Sequence, residues 1–306
     1  MGDAMVQRAG ITYLLIASLL WSFSFGLIGR YLTGIDAPVV ACIRLSVSFM
    51  LFAPLLRLRG VRLAYALKLV GLGAIQYGVM YVAYIRAYQF LQGHQVAVFT
   101  IFTPLFVTLI HDRLNRRFHR AFLLASLLAV AGAALLVWWE KDVVAALKGV
   151  LLVQFANLCF AFGQVGYKQL RDREAEQGDG AGVSEDAATF ALLYFGAAVC
   201  TGLFSGLTTD WGSLSFSRTQ MLVLLYLGVV PSGLGFFFWN LGARRVNAGV
   251  LAAFNNIKIP LAVLVSLIVF RERTAWVRLL IGGIAIIGGV VYAGLTRAPS
   301  RSTQST

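Results

Sequence analysis

An all-α polytopic membrane protein is the fold class this sequence predicts: ten transmembrane helices in two inverted five-helix repeats, with both termini cytoplasmic. Three observations lead there: the composition, ten apolar stretches of spanning length, and a spaced set of residues that recurs between the halves. Of 306 residues, 59% are hydrophobic and 13% charged, and the mean hydropathy is +0.78. Soluble domains carry about 45–50% apolar and about 25% charged residues. The balance excludes a soluble enzyme, a disordered chain and a disulfide-stapled secreted domain. Cys42, Cys159 and Cys200 each stand alone in an apolar run, which reads as reduced packing residues rather than metal ligands. The net charge of +13 falls in short loops, where it sets membrane orientation. It forms no solvated basic face for nucleic acid.

A helix needs about 20 apolar residues to cross a bilayer. The stretches that qualify are 11–29, 37–56, 67–86, 94–112, 121–139, 147–167, 188–208, 219–242, 247–270 and 276–295, taken below as spans 1 to 10. Span 1 is too long for a signal-peptide core and is read as retained. Lys and Arg are about twice as numerous on the side of the N-terminus and the even-numbered loops, including Arg57, Arg59, Arg62, Lys68, Arg113, Arg116, Arg117 and Arg120. Positive charge marks the cytoplasmic face. The longest loop, 168–187, is acidic and glycine-containing and reads as a flexible cytoplasmic linker.

The chain repeats itself. Phe23, Phe25, Gly26 and Gly29 recur as Phe160, Phe162, Gly163 and Gly166, and Gly73, Gly78 and Phe99 recur as Gly228, Gly233 and Phe254. The halves are therefore 1–142 and 143–297, followed by a cytoplasmic tail, 298–306. Five spans per half is odd, so the halves cross in opposite directions. Such inverted repeats characterise secondary transporters, with the substrate site near the midplane between the halves. Gly26, Gly29, Gly163 and Gly166 are expected to let spans 1 and 6 rock.

Two cations lie at membrane depth. Lys258 is about 16 Å into span 9 and Arg44 about 10 Å into span 2. Each costs about 2.5–3.5 kcal/mol at a helix centre on the insertion scale. Asp112, Glu140 and Glu272 stay near span ends, so no Asp/Glu proton relay is expected, and a deep cation is left to meet a substrate carboxylate. For Arg44, pairing with backbone carbonyls is an equal alternative. Asn255 and Asn256 precede Lys258, and Pro260 follows and is expected to kink the span. Span 4 carries the pseudo-equivalent Thr100 to Pro104, polar but uncharged. Other candidates for the cavity are Phe23 and Trp21 in span 1, Gln76, Tyr81 and Tyr84 in span 3, Gln154 and Asn157 in span 6, and Trp239 and Asn240 in span 8. His94 reads as a boundary residue. No HExxH, deep Ser/His pair, Asp pair or phosphate-binding loop occurs, so neither an enzyme nor a cofactor nor a metal is expected.

Four stretches carry a resemblance: LLWSFSFGLIGRYLTG, GAIQYGVMYVAYIRAYQFL, LLVQFANLCFAFGQVGYKQL and GVVPSGLGFFFWNLGARRVNAGVLAAFNNIKIP. Over nearly its whole length the chain resembles the drug/metabolite transporter superfamily with two EamA-type repeats, and within it the bacterial biotin-transporting group. The resemblance implies biotin uptake across the inner membrane by alternating access. Lys258, with Arg44, would then meet the carboxylate. Asn255, Asn256, Asn240, Gln154 or Asn157 would meet the ureido group, and Tyr81, Tyr84, Trp239 and Phe23 the rings. The implied partners are a small-molecule carboxylate and membrane lipid, with no nucleic acid and no obligate protein partner. Export of amino acids or related metabolites is the second reading left open.

Overall fold

A computed structural model of the chain describes residues 2–56, 61–114, 142–176, 183–246 and 248–272, with residue 284. The described residues are all helix and connection. Helix α1 is Gly2–Tyr31 and α2 is Ala37–Phe52, the latter starting at a proline whose fixed φ suits a first turn. Helix α3, Leu63–Gly73, widens into a π segment, Ala74–Val79, and resumes as α4, Met80–Ala87. Helix α5, Gly93–Phe99, tightens into a 3-10 turn, Thr100–Phe102, before α6, Thr103–Leu114. Helices α7, Val143–Glu176, and α8, Val183–Thr208, are continuous. Helix α9, Arg218–Leu227, starts in a reciprocal capping box between Ser217 and Gln220. It widens into a second π segment, Gly228–Gly235, containing Pro231, then continues as α10, Phe236–Arg245. Helix α11, Ala248–Ile268, keeps Pro260 inside one helix.

Seven of these runs are long and apolar enough to cross a membrane, and they coincide with expected spans 1 to 4 and 6 to 8; α11 lies at span 9. Expected spans 5 and 10 lie outside the described residues. The expected linker is corrected. Residues 168–176 extend α7 and 183–187 begin α8. Lys168 to Glu176 is rich in strong helix formers, and Glu174 at its end forms an ion pair with Arg62.

The packing is symmetric under exchange of the halves. Helix α1 lies on α10 and α11, while α7 lies on α4 and α6. Helix α2 packs on α8 and on the second π segment, and α8 packs on α3 and on the first π segment. The two π segments fall at corresponding places in the two halves, at the spacing that relates Gly73 to Gly228. The glycines expected to act as hinges are contact points in unbroken helix: Gly26 faces the Phe270 ring and Gly163 the side chain of Gln76. The closest approach is α3 against α8. A Cβ on Gly73 would overlap the Leu193 backbone and one on Gly196 the Val70 carbonyl, a small-residue crossing of the kind membrane helices favour.

At the far end of α1, Glu272 closes the bundle. Its carboxylate accepts the backbone N–H of His94 at 2.9 Å and lies 2.7 Å from His94 Nδ1. Burial pushes its pKa up, but the hydrogen bonds from His94 and Gly93 outweigh this and hold the carboxyl below the usual glutamate value.

Two outcomes follow. Gly73→Ala and Gly196→Ala should each abolish recovery of monodisperse protein in detergent. Gly34→Ala, whose added methyl meets nothing within 4 Å, should leave recovery unchanged; equal recovery of all three would refute the backbone contact. The stabilisation from Glu272 is full above its ordinary value, about 4.3, and is lost as pH falls through the lower folded value. Melting temperatures of wild type and Glu272→Gln should therefore differ at neutral pH and converge in acid, and a constant gap would contradict the assignment.

Candidate functional site

A cavity opens among both halves at the level of the interrupted helices. Its lining comes from α1 (Trp21, Ser24, Phe25), α4 (Met80, Tyr81, Tyr84), the 3-10 turn and start of α6 (Thr100, Thr103), α7 (Ala156, Asn157, Phe160), α10 (Phe236) and α11 (Lys258). On α1, positions 21, 24 and 25 share a face by helical spacing.

Lys258 is the one charged group in the described lining. It is only 7% exposed, and its Nζ lies 5.2 Å from the ring centre of Trp21 and 5.3 Å from that of Trp239. A desolvated cation–π contact is worth up to about 2 kcal/mol, so two aromatic faces offset much of the cost of the buried ammonium. The box is fixed from behind. Trp21 Nε1 donates to the Pro231 carbonyl at 2.8 Å, and the two indoles sit 5.1 Å apart.

The amide wall is built around span 4. Pro104 has no N–H to give to the Thr100 carbonyl, and Thr103 Oγ1 donates there instead, at 2.8 Å. The Phe99 carbonyl, next to the tightened turn, accepts from Asn157 Nδ2 at 2.9 Å and from Gln154 Nε2 at 3.4 Å. Asn157 Nδ2 also donates to Gln154 Oε1, and Asn157 Oδ1 lies 3.1 Å from Thr103 Oγ1, whose one hydroxyl hydrogen it shares with the Thr100 carbonyl. Both amide hydrogens of Asn157 are thus engaged, and its oxygen keeps one acceptor position for a ligand.

Arg44 stands one layer behind the lining, 1% exposed. Its Nε and Nη2 donate to Ser232 Oγ at 3.2 and 3.0 Å, Nη2 also to the Tyr81 hydroxyl at 3.2 Å, and its guanidinium lies 4.6 Å from the Tyr81 ring centre. Through Tyr81 it orients a cavity wall without lining the cavity. Tyr84 and Tyr88 share a hydroxyl–hydroxyl contact of 2.8 Å.

Of the residues the sequence nominated, Trp21, Lys258, Asn157, Tyr81 and Tyr84 line the cavity. Trp239 backs it. Gln154 supports Asn157. Arg44 supports Tyr81. Asn240 donates to the Phe236 carbonyl at 2.9 Å, within its own helix, and Gln76 is buried against Gly163; neither lines the cavity. Phe23 is 41% exposed and lies outside the lining, which Phe25 joins instead. Asn255 and Asn256 lie outside the residues whose side chains are described. Sequence reading did not nominate Met80, Ala156, Phe160, Phe236 or the Arg44 partner Ser232. The run of three phenylalanines after the glycine-rich stretch was the available signal for Phe236.

Comparison with known proteins gives three results. The sequence profile of the EamA-like transporter family matches residues 8–138 and again 147–294. Relatives at 35% identity are the biotin transporter of Escherichia coli strain K12 (95% of each chain), that of Salmonella typhimurium (90% of each) and the probable biotin transporter of Pseudomonas aeruginosa (95% of this chain, 99% of the relative). A solved crystal structure at 17% identity superposes with a TM-score of 0.62 over 95% of this chain and 97% of the other, a likeness of fold. Family and relatives indicate transport rather than catalysis.

Ser232→Ala removes the acceptor of the buried Arg44 and should lower stability in detergent by about 1–3 kcal/mol. Ser266→Ala, at a buried hydroxyl without a hydrogen-bond partner, should be close to neutral. Equal melting shifts would show that Arg44 does not depend on Ser232.

Proposed function

The chain belongs to the EamA-like transporter family, and from that premise we propose that it takes up biotin across the bacterial inner membrane. It is a multi-pass membrane protein, and its relatives named biotin transporter match it over 90% or more of both chains. The observation that carries the proposal is the single ammonium of Lys258 in an otherwise uncharged, aromatic cavity between the halves. A biotin carboxylate supplies the opposite charge, and pairing inside a low-dielectric cavity is strong when the geometry is good. Asn157 Oδ1 and the hydroxyls of Thr100 and Tyr84 offer hydrogen bonds to the ureido group, while Trp21, Phe25, Phe160 and Phe236 cover the rings. Arg44 holds Tyr81 in place rather than meeting the substrate.

Alternating access between two inverted five-helix halves, 1–142 and 143–297, is the proposed mechanism, with both termini in the cytoplasm. Support comes from the two matched stretches, the exchange symmetry of the packing and the corresponding π segments. The cavity is narrow, about 80 Å³, against the roughly 300 Å³ or more of pockets that enclose a drug-sized ligand. A ring-bearing substrate therefore enters as helices part. An exporter of amino acids would also need to hold an ammonium, and the described lining contains no carboxylate for it.

Binding of labelled biotin to the purified full chain tests the proposal, with an amino-acid panel as competitor. Wild type should show saturable binding that unlabelled biotin displaces and amino acids do not. Lys258→Ala should lose thirty-fold or more in affinity, on the order of 2–5 kcal/mol for a truncated buried charge pair, and Lys258→Arg should keep most of it. Unchanged affinity in Lys258→Ala would sink the charge role; binding of amino acids in place of biotin would favour the exporter.

A further inference from the structure

At the basic end of the bundle, outside the central cavity, two clefts meet between α3 and the last turns of α7. The lower one, about 320 Å³, runs along Leu72, Ile75, Phe162 and Leu170. The upper one, about 210 Å³, lies among Arg62, Tyr65, Arg173 and Glu174. Lys68, Leu170 and Arg173 line both, so they form one groove, apolar below and cationic above. Lys68 and Arg173 are exposed, whereas Arg62 is engaged by Glu174. The Tyr65 hydroxyl is buried in the upper cleft with no hydrogen-bond partner among the described residues. Below, Ile75 and Phe162 turn exposed apolar surface outward.

We propose that this groove binds one anionic phospholipid, its phosphodiester between Lys68 and Arg173 and one acyl chain along Leu72, Ile75 and Phe162. The shape matches the molecule. Lys68 and Ile75 are seven residues apart, about 10 Å along a helix, so the charges stand at headgroup height and the apolar walls reach into the hydrocarbon. Basic pockets between membrane helices at the cytoplasmic face take anionic headgroups, and the Tyr65 hydroxyl adds a donor for a phosphate oxygen. A zwitterionic lipid brings its own ammonium beside Lys68 and Arg173 and loses that attraction. The bound lipid bridges the start of span 3 to the end of span 6, the element that carries Asn157 into the cavity. Placement in the cytoplasmic leaflet rests on the orientation proposed above; the lipid class rests on the groove alone and is independent of the substrate.

Native mass spectrometry of the detergent-purified full chain tests this, with phosphatidylglycerol and phosphatidylethanolamine of matched acyl chains added in turn. Wild type should retain phosphatidylglycerol with a preference of about thirty-fold, from about one kcal/mol for each of the two basic residues. The double variant Lys68→Ala/Arg173→Ala should lose that preference, and Ile75→Trp should weaken binding by filling the apolar arm with both charges intact. Arg218→Ala, an exposed cation at the start of α9, should change nothing. Equal retention of the two lipids, or a preference that survives the double variant, overturns the proposal. So does displacement of the lipid by soluble glycerol 3-phosphate at equal concentration, which would make the site one for free phosphate.

Discussion

Inside a bilayer every backbone carbonyl must find a donor within the protein, because neither lipid nor bulk water supplies one. Among the described residues the α-helical hydrogen bonding is interrupted three times at depth, at Ala74–Val79, Thr100–Phe102 and Gly228–Gly235. At the second π segment and beside the 3-10 turn, side chains from other helices donate to the carbonyls there. Trp21 donates to Pro231, Ser48 to Gly228 at 2.8 Å, Tyr194 to Ser232 and Gly233, and Asn157 to Phe99. Most of these bonds cross between the halves. The interrupted helices are thus the places where one half is held by the other, and the cavity sits among them.

The same bonds set the electrostatics of the cavity. Trp21 does two things at once: its N–H is tied to the Pro231 carbonyl, and its ring faces the Lys258 ammonium. Moving the π segment therefore moves one wall of the box around the cation. Arg44 works in parallel, since its partners Ser232 and Tyr81 belong to the second π segment and to the helix after the first. Among the described residues the buried guanidinium is held by two hydroxyls and the Tyr81 ring and meets no carboxylate, so its charge is weakly compensated. Rearrangement of the π segments is thus felt at both deep cations.

Composition and span length made the membrane class legible, and spaced glycines made the internal repeat legible, because both are long-range patterns that survive local irregularity. Lys258 stood out because a charge at that depth in span 9 is costly. The faces were harder. Phe23 and Phe25 both belong to the recurring motif, yet two residues along a helix point about 200° apart, and only Phe25 shares the side of Trp21. Span 8 carries Pro231, a break the sequence does show, but neither the extent of the widening at Gly228–Gly235 nor the partner of Ser232 could be read from it. Gln154, Asn157 and Asn240 looked alike as midspan amides. What separates them is which carbonyl lies opposite, and that depends on the breaks in neighbouring helices. Residues 168–176 misled in the other direction, since the solubilising residues there are also strong helix formers; 177–182 lie outside the described residues.

Helix α1 is where proposed movement meets proposed binding. At one end Gly10 lies against Arg245 and Val246, and at the other Gly26 lies against Phe270 while Gly93 and Glu272 close over Phe25 and Gly29. Both contacts are tight and both join the first half to the second. Alternating access requires one to loosen while the other holds, with Trp21 and Lys258 between them as the pivot region. The two ends are chemically unequal. The Gly10 end is held by packing and by the Arg245 guanidinium over the Tyr13 ring, 5.4 Å from its centre, whereas the Gly26 end has the carboxylate of Glu272 and its bonds to His94. Parting the first exposes apolar surface. Parting the second also strips hydrogen bonds from a charged carboxylate, and water or substrate must replace them. The more polar end is therefore the one whose opening is helped by solvent entry, as suits the side from which a water-soluble carboxylate arrives.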